Sequence, residues 1–221
     1  MQPTIPGRDS FPTAEAPSEA FASLRRFARP RAAVERCELC AMELAPEHPH
    51  LLDLASRQIA CACDACAILF CGQQEAKFLR IPRRVLRLDS FSFNDLQWQS
   101  MMLPINLAFF VRQPDGGTRA MYPSPAGAME SLIGLPAWEV LCAGERALAD
   151  AQPEVEALLV NRIGGNPAYF IVPIDACYRL IGLIRTKWRG LSGGVEVWQA
   201  IGDFFSSLEQ RATRSGETSH A

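Results

Sequence analysis

The sequence predicts an α+β protein in which a small cysteine-rich, metal-binding module precedes a larger domain with a mostly antiparallel sheet. Three observations predict it. Six of the chain's eight cysteines fall between Arg36 and Gly72. Beyond Gly72, short runs of alternating apolar and polar residues are punctuated by Gly, Pro, Asn and Asp, the pattern of half-buried strands joined by turns. Two longer stretches near the C-terminus repeat apolar residues at helical spacing. The boundaries read as 1–34 for a disordered leading segment, 35–74 for the metal module, 75–211 for the α+β domain and 212–221 for a disordered tail.

The leading segment carries Pro3, Pro6, Pro12 and Pro17 among Ser, Thr, Glu and Ala, a composition that buries too little apolar surface to order by itself. Arg25, Arg26, Arg29 and Arg31 then form a basic run that reads as a solvated linker. The module itself contains two C-x-x-C turns, Cys37/Cys40 and Cys63/Cys66, with 22 residues between them. Such a turn places two sulfurs on one side of a tight loop, and two turns brought together complete a tetrahedron. Zinc, with no redox chemistry and no geometric demand from its d electrons, accepts that arrangement. Cys37, Cys40, Cys63 and Cys66 are therefore the predicted ligands. Cys61 is the alternative, because on an extended backbone it shares a face with Cys63; Cys63 is preferred because it makes the C-x-x-C turn with Cys66. Leu51–Leu54 and Arg57–Ala60 form a predicted hairpin around Ala55-Ser56, and Ala67–Phe70 a short helix stopped by Gly72. Knuckle, hairpin, second knuckle opening a helix is the order of a treble clef, with a plain zinc ribbon as the near alternative.

In the larger domain, Lys77–Pro82 and Val85–Leu88 suit strands near a sheet edge, where Pro82 is tolerated. Ser92-Phe93-Asn94-Asp95 resembles a capping box ahead of a short helix ending near Pro104. Ile105–Val111 reads as a strand with Ile105, Leu107, Phe109 and Val111 on one face, turned by Asp115-Gly116-Gly117 into Thr118–Tyr122. Tyr122–Gly127, with Pro123 and Pro125, reads as a stiff loop. A helix is expected over Leu135–Ala149, with Trp138, Leu141, Cys142 and Leu148 inward. Two strands follow at Glu154–Ile163 and Tyr169–Ile174. A helix opening at Ile174 buries Cys177, Leu180, Ile181, Ile184 and Trp188, and Leu191–Gly194 breaks it. The last helix buries Val197, Trp198, Ile201, Phe205 and Leu208. Cys142 and Cys177 read as small core residues.

Composition narrows the function. A formal net charge of −2 and a pI near 6.0 argue against a protein that coats nucleic acid or an anionic membrane. No apolar run approaches a membrane span and no signal-like segment opens the chain, so a cytoplasmic protein is expected, where reduced thiols favour metal over disulfides. Of three histidines, His220 sits in the tail, leaving His48 and His50 as the candidates for base catalysis. There is no G-x-S-x-G and no phosphate-cradling glycine loop. A histidine after the first knuckle fits the outline of an HNH nuclease, but Ala67–Phe70 offers no second metal ligand, so no hydrolase is expected. Iron held by the same four thiolates is the redox alternative, as in rubredoxin or an iron–sulfur carrier, although Ala41 and Ala67 stand where rubredoxin knuckles usually carry Gly. Arg80, Arg83, Arg84 and Arg87 form a basic stretch that reads as a charged edge strand, with steering of an acidic partner as a further role.

Several segments together resemble one family. They are Arg36–Cys40, Cys61-Ala62-Cys63 with Cys66 and Leu69-Phe70, Tyr122–Gly127, Glu156–Arg162, Val172–Asp175, Gly182–Arg185, Trp188–Gly194 and Glu196–Trp198. The likeness covers about residues 35–210 and is to an uncharacterised bacterial family encoded beside actinobacterial-type, high-affinity nickel–iron hydrogenases. The resemblance implies an accessory role in making or running such a hydrogenase, and the lack of a catalytic constellation in the residues makes a non-catalytic protein the expectation. A hydrogenase subunit or another maturation protein would be the partner. It assigns no catalytic residue.

Overall fold

Two sheets share the chain, and the way β1 serves both of their cores sets everything else. In the computed structural model, which describes residues 34–72, 76–131 and 145–214, the small sheet contains β1 (His50–Asp53), β2 (Ile59–Cys61) and β3 (Phe78–Arg80) in the order β2-β1-β3. The large sheet contains β4 (Leu86–Arg87), β5 (Leu107–Arg112), β6 (Thr118–Ser124), β7 (Gly127–Glu130), β8 (Glu156–Asn161), β9 (Ala168–Pro173) and β10 (Thr213–Arg214), in the order β10-β4-β9-β8-β5-β6-β7. Every neighbouring pair is antiparallel except β10 with β4. The helices are α1 (Asp64–Phe70), α2 (Asp95–Ser100), α3 (Arg146–Ala149), α4 (Ile174–Lys187) and α5 (Val195–Arg211). Both sheets lie within one compact unit, Arg36–Ala221. The α+β class and the mostly antiparallel sheet are as the sequence predicts. Trp138, Leu141, Cys142, the leading segment up to residue 33 and the tail from 215 lie outside the described residues.

The central strands β5, β8 and β9 are buried on both faces, which explains their nearly unbroken apolar runs. Leu107, Phe109, Ala157, Leu159, Phe170 and Val172 face one side, where α4 adds Cys177, Leu180 and Ile184 and α5 adds Val197, Ile201, Phe205 and Leu208. Ala108, Phe110, Leu158, Val160, Tyr169 and Ile171 face the other, over Phe93, Trp98 and Leu148. Each fully buried leucine or phenylalanine contributes about 1.5–3 kcal/mol of transfer free energy, so this double-faced sheet dominates stability.

Several local expectations change. Tyr122–Gly127 is a tight hairpin, not an irregular loop: Ser124 pairs with Gly127, leaving Pro125-Ala126 as the turn. Pro125 sits in the turn, and Pro123 lies beyond the last β5–β6 pair, Phe109 with Met121. The cap of α2 is Asn94, whose Oδ1 accepts from the Gln97 backbone N–H at 2.8 Å while Gln97 Oε1 accepts from the Asn94 N–H at 3.0 Å. Trp198 is half exposed, its indole N–H held by the Ser192 carbonyl at 3.0 Å. Thr213-Arg214, expected in the tail, adds the strand β10. Phe78–Arg80 forms β3, an edge strand of the small sheet as expected, whereas β4, which carries Arg87, is an inner strand of the large sheet. Arg87 pairs with Asp89 and Glu209, Arg80 with Asp64, and Arg83 with Glu47.

Arg84 is the arginine with a structural task. Its Nε and Nη2 donate to both oxygens of Glu156 at 2.5 and 2.7 Å, and the Glu156 carboxylate is fully buried. The Gln152 N–H donates to it as well, at 2.7 Å. Removing Arg84 strands a buried carboxylate. A fully buried pair broken this way loses about 3–5 kcal/mol. Because the Arg84 side chain is 40% exposed, Arg84→Met is expected to cost about 2 kcal/mol in urea unfolding. The double variant Arg84→Met/Glu156→Gln is expected to cost less than the sum of the two single changes.

Candidate metal centre

The site is built from the two knuckles and the hairpin between them. In the first, the Cys37 N–H donates to the Met42 carbonyl at 2.8 Å and the Ala41 N–H to the Cys37 carbonyl at 2.7 Å. Ala41 closes the turn at φ 62°, a left-handed conformation that costs a non-glycine residue about 1–2 kcal/mol. An antiparallel bridge between Arg36 and Glu43 seals the base. The second knuckle is the start of α1. Cys63 is the N-cap, with φ −78° and ψ 161°, and the Cys66 N–H donates to the Cys63 sulfur at 3.4 Å. The knuckles meet because the Glu38 N–H donates to the Cys61 carbonyl at 2.9 Å while the Glu38 carboxylate accepts the Cys61 N–H at 2.7 Å.

The result brings the sulfurs of Cys37, Cys40, Cys63 and Cys66 within 4.8 Å of one another. Cys40 and Cys63 are 3.8 Å apart. A tetrahedron with metal–sulfur bonds of about 2.3 Å has edges of about 3.8 Å, so the Cys40–Cys63 pair already has that spacing and the set of four suits a four-coordinate metal ion. A disulfide, at about 2.05 Å, is not formed. Cys37, Cys63 and Cys66 are buried with Leu51, Ala62, Ala67 and Phe78, whereas Cys40 is exposed.

Cys61 does not join this set. β1 and β2 pair with His50 opposite Cys61 and Leu52 opposite Ile59. Residues directly opposite one another share a face, so His50, Leu52, Ile59 and Cys61 look toward the main core while Leu51 looks toward the cysteines. The alternation that would align Cys61 with Cys63 ends with β2, and Cys63 turns away to cap α1. Cys61 instead lies within 4.8 Å of ring nitrogens of His48 and His50. Sequence reasoning treated those histidines only as catalytic bases. The hairpin register held the signal, since any pairing that puts Leu52 opposite Ile59 also puts His50 opposite Cys61.

With this geometry in hand, a family comparison is decisive for relationship: residues 36–212 match the model of a family of unknown function, DUF5947. The chain belongs to DUF5947. No curated protein and no solved structure matches it. The match spans nearly the stretch over which the sequence resembles an uncharacterised family.

Within this DUF5947 chain the four thiols are electrostatically unequal. Burial raises the Cys37 thiol, but backbone N–H groups of Cys63, Leu39 and Cys40 outweigh it and bring it down to about 6. Burial, followed by hydrogen bonding with Cys63, Cys40 and Cys37, pushes Cys66 up to about 12. At Cys40 the Met42 N–H favours the thiolate, yet the contacts with Cys37 and burial leave the thiol raised. One sulfur is thus a ready thiolate near neutral pH, and a cation bound beside it would ionise its neighbours.

Two outcomes follow. Cys63→Ser is expected to abolish the tetrathiolate absorption of the cobalt(II)-loaded protein, whereas Cys61→Ser leaves it. Calorimetric zinc titration at pH 7 in buffers of different ionisation enthalpy is expected to show at least two protons released per ion at this site, from Cys40 and Cys66. Below about pH 6 Cys37 is protonated too, so affinity falls more steeply with acidification.

Proposed function

We propose that this protein is a non-catalytic zinc-binding accessory protein that acts through protein–protein contacts, in the assembly or maturation of a nickel–iron hydrogenase. The observation that carries the zinc reading is a set of four sulfurs within 4.8 Å of one another, three of them buried, which would fill all four positions of a tetrahedral ion. Structural zinc sites have that character. The order of knuckle, β1–β2 hairpin and second knuckle opening α1 supports a treble clef. Contact with a partner is supported by Ile68, Leu69 and Phe70, which are exposed on the helix that carries Cys66. The hydrogenase link rests on the sequence resemblance, and an electron carrier using iron in the same four thiolates is the rival.

Elemental analysis of purified protein separates the two: zinc is expected at the tetrathiolate site, and iron with a coloured thiolate charge-transfer band would replace this reading with the redox one. Deletion of the gene tests the process. An unprocessed or metal-free hydrogenase large subunit is the expected result. Normal enzyme that works with an artificial acceptor in extracts but not in cells would overturn the accessory role in favour of electron transfer.

A further inference from the structure

The face of the small sheet opposite the tetrathiolate carries a second donor set. His48, His50 and Cys61 bring two ring nitrogens and a sulfur within 4.8 Å of one another. Three features hold them there. His50 and Cys61 are cross-strand partners in β1 and β2. Pro49 sits between the histidines, its φ fixed by its ring, and biases His48 toward extended backbone. The rings then meet edge to face, with centroids 5.0 Å apart.

Each ring is also oriented by a hydrogen bond through its Nδ1. His50 Nδ1 lies 2.6 Å from Asp175 Oδ2, and His48 Nδ1 lies 2.9 Å from the Ala45 carbonyl oxygen. A carboxylate and a carbonyl only accept, so both Nδ1 atoms donate. In the neutral rings this places the ligand lone pair on Nε2. A histidine whose remote N–H is held by a carboxylate or a backbone carbonyl is the arrangement that surrounds metal-bound imidazoles. Asp175 comes from the first turn of α4, 125 positions from His50 in the chain. Nothing in the fold requires that contact for packing, because Ile174, Cys177 and Ile181 anchor the helix.

We propose that His48, His50 and Cys61 form a second metal site, distinct from the four-cysteine centre. It takes a borderline divalent ion of the zinc class through His48 Nε2, His50 Nε2 and Cys61 Sγ, with Asp175 as the positioning residue. The mixed imidazole–thiolate donors select that class over magnesium or calcium. Three protein ligands leave a four-coordinate ion one open position, the feature that separates reactive or exchanging sites from closed structural ones. His48, His50 and Asp175 line a pocket of 670 Å³ whose wall also carries Glu47, paired with Arg83, and two further arginines, Arg179 and Arg211, so cations outnumber the carboxylates that are not already engaged with a histidine. The exchangeable ligand at the open position is accordingly an anion or water.

The test is metal titration of the full-length, metal-free protein with cobalt(II) and zinc, followed by X-ray absorption. The unmodified chain is expected to bind two equivalents. His48→Ala and Cys61→Ser are each expected to lose the second, at least 100-fold in affinity, while the tetrathiolate cobalt spectrum persists. Cys37→Ser is expected to abolish the tetrathiolate spectrum and to keep the second equivalent, bound more weakly. Asp175→Asn is expected to weaken only the second site, by roughly 10–100-fold, with thermal stability of the metal-free protein unchanged. Azide is expected to shift the cobalt bands of the second site alone. One equivalent in the unmodified chain, or a second equivalent indifferent to His48→Ala and Cys61→Ser, overturns the site. An azide-silent spectrum overturns its open position. Should the variants misfold, absorption spectroscopy of the unmodified protein at two equivalents decides: imidazole nitrogen in the shell supports the site, and an all-sulfur shell overturns it. Loss of the tetrathiolate signal with retention of the imidazole signal would sink the structural-zinc reading and leave this proposal standing.

Discussion

The alternation of side chains along β1 is the constraint on which the rest depends. Leu51 enters the small core with the cysteines, and Leu52 enters the main core with Ile81, Val85 and Leu107. Two cores thus share one strand of four residues. A slip of one residue would exchange the faces and place His50 and Leu52 among the sulfurs. Several bonds hold the register. Asp53 Oδ1 accepts the Ala55 and Ser56 N–H groups at 2.8 and 3.0 Å, which fixes the turn. Those contacts, with Lys77 at 3.2 Å, hold the Asp53 carboxyl below its ordinary range despite partial burial. Arg57, at the same turn with φ 59°, pairs with the buried Glu154 ahead of β8. The Ile81 N–H to the His50 carbonyl, 2.9 Å, carries β1 into β3.

The small core shows why sulfur clusters there. Its described buried residues are Leu51, Ala62, Ala67 and Phe78 with Cys37, Cys63 and Cys66, and two of the apolar ones are alanines. Such a cluster buries too little apolar surface to hold two knuckles and a seven-residue helix in place. A metal cross-link through the sulfurs would supply what packing cannot. The large sheet needs no such help, since β5, β8 and β9 bury side chains on both faces.

What was legible in the sequence follows from the range of the forces concerned. Short apolar runs bounded by turn residues marked β5, β6, β8 and β9, and helical spacing marked α4 and α5, because burial writes itself into local pattern. The C-x-x-C turns are local as well, so Cys37, Cys40, Cys63 and Cys66 were named correctly as one spatial group. Cys61 was misplaced because alternation was continued past the end of β2, where helix capping by Cys63 takes over. Arg84 was assigned to an edge because its partner, Glu156, is 72 positions away. Asp175 beside His50 was invisible for the same reason. Contacts between distant charged groups leave no periodic trace. The short β7 was missed because Pro123 and Pro125 mask a hairpin whose N–H demands fall elsewhere.

The two donor sets on opposite faces of β1 and β2 differ in the property that decides chemical role, which is closure. On the Leu51 face every donor is a sulfur, three of the four are buried, and an ion there would have no position left for another ligand. On the Leu52 face the donors are mixed, His50 and Cys61 are half-buried, and a pocket with three arginines opens beside them. The faces are also mechanically joined. Cys61 gives its sulfur to one side, while its backbone N–H and carbonyl are both held by Glu38 of the first knuckle. Any shift of Cys61 along β2 therefore displaces Glu38, which lies between Cys37 and Cys40. Because a two-residue exchange of hydrogen bonds has little slack at 2.7 and 2.9 Å, order imposed on the sulfur tetrad is passed directly to Cys61. A tightly held tetrad thus preorganises the second face without contributing a ligand to it.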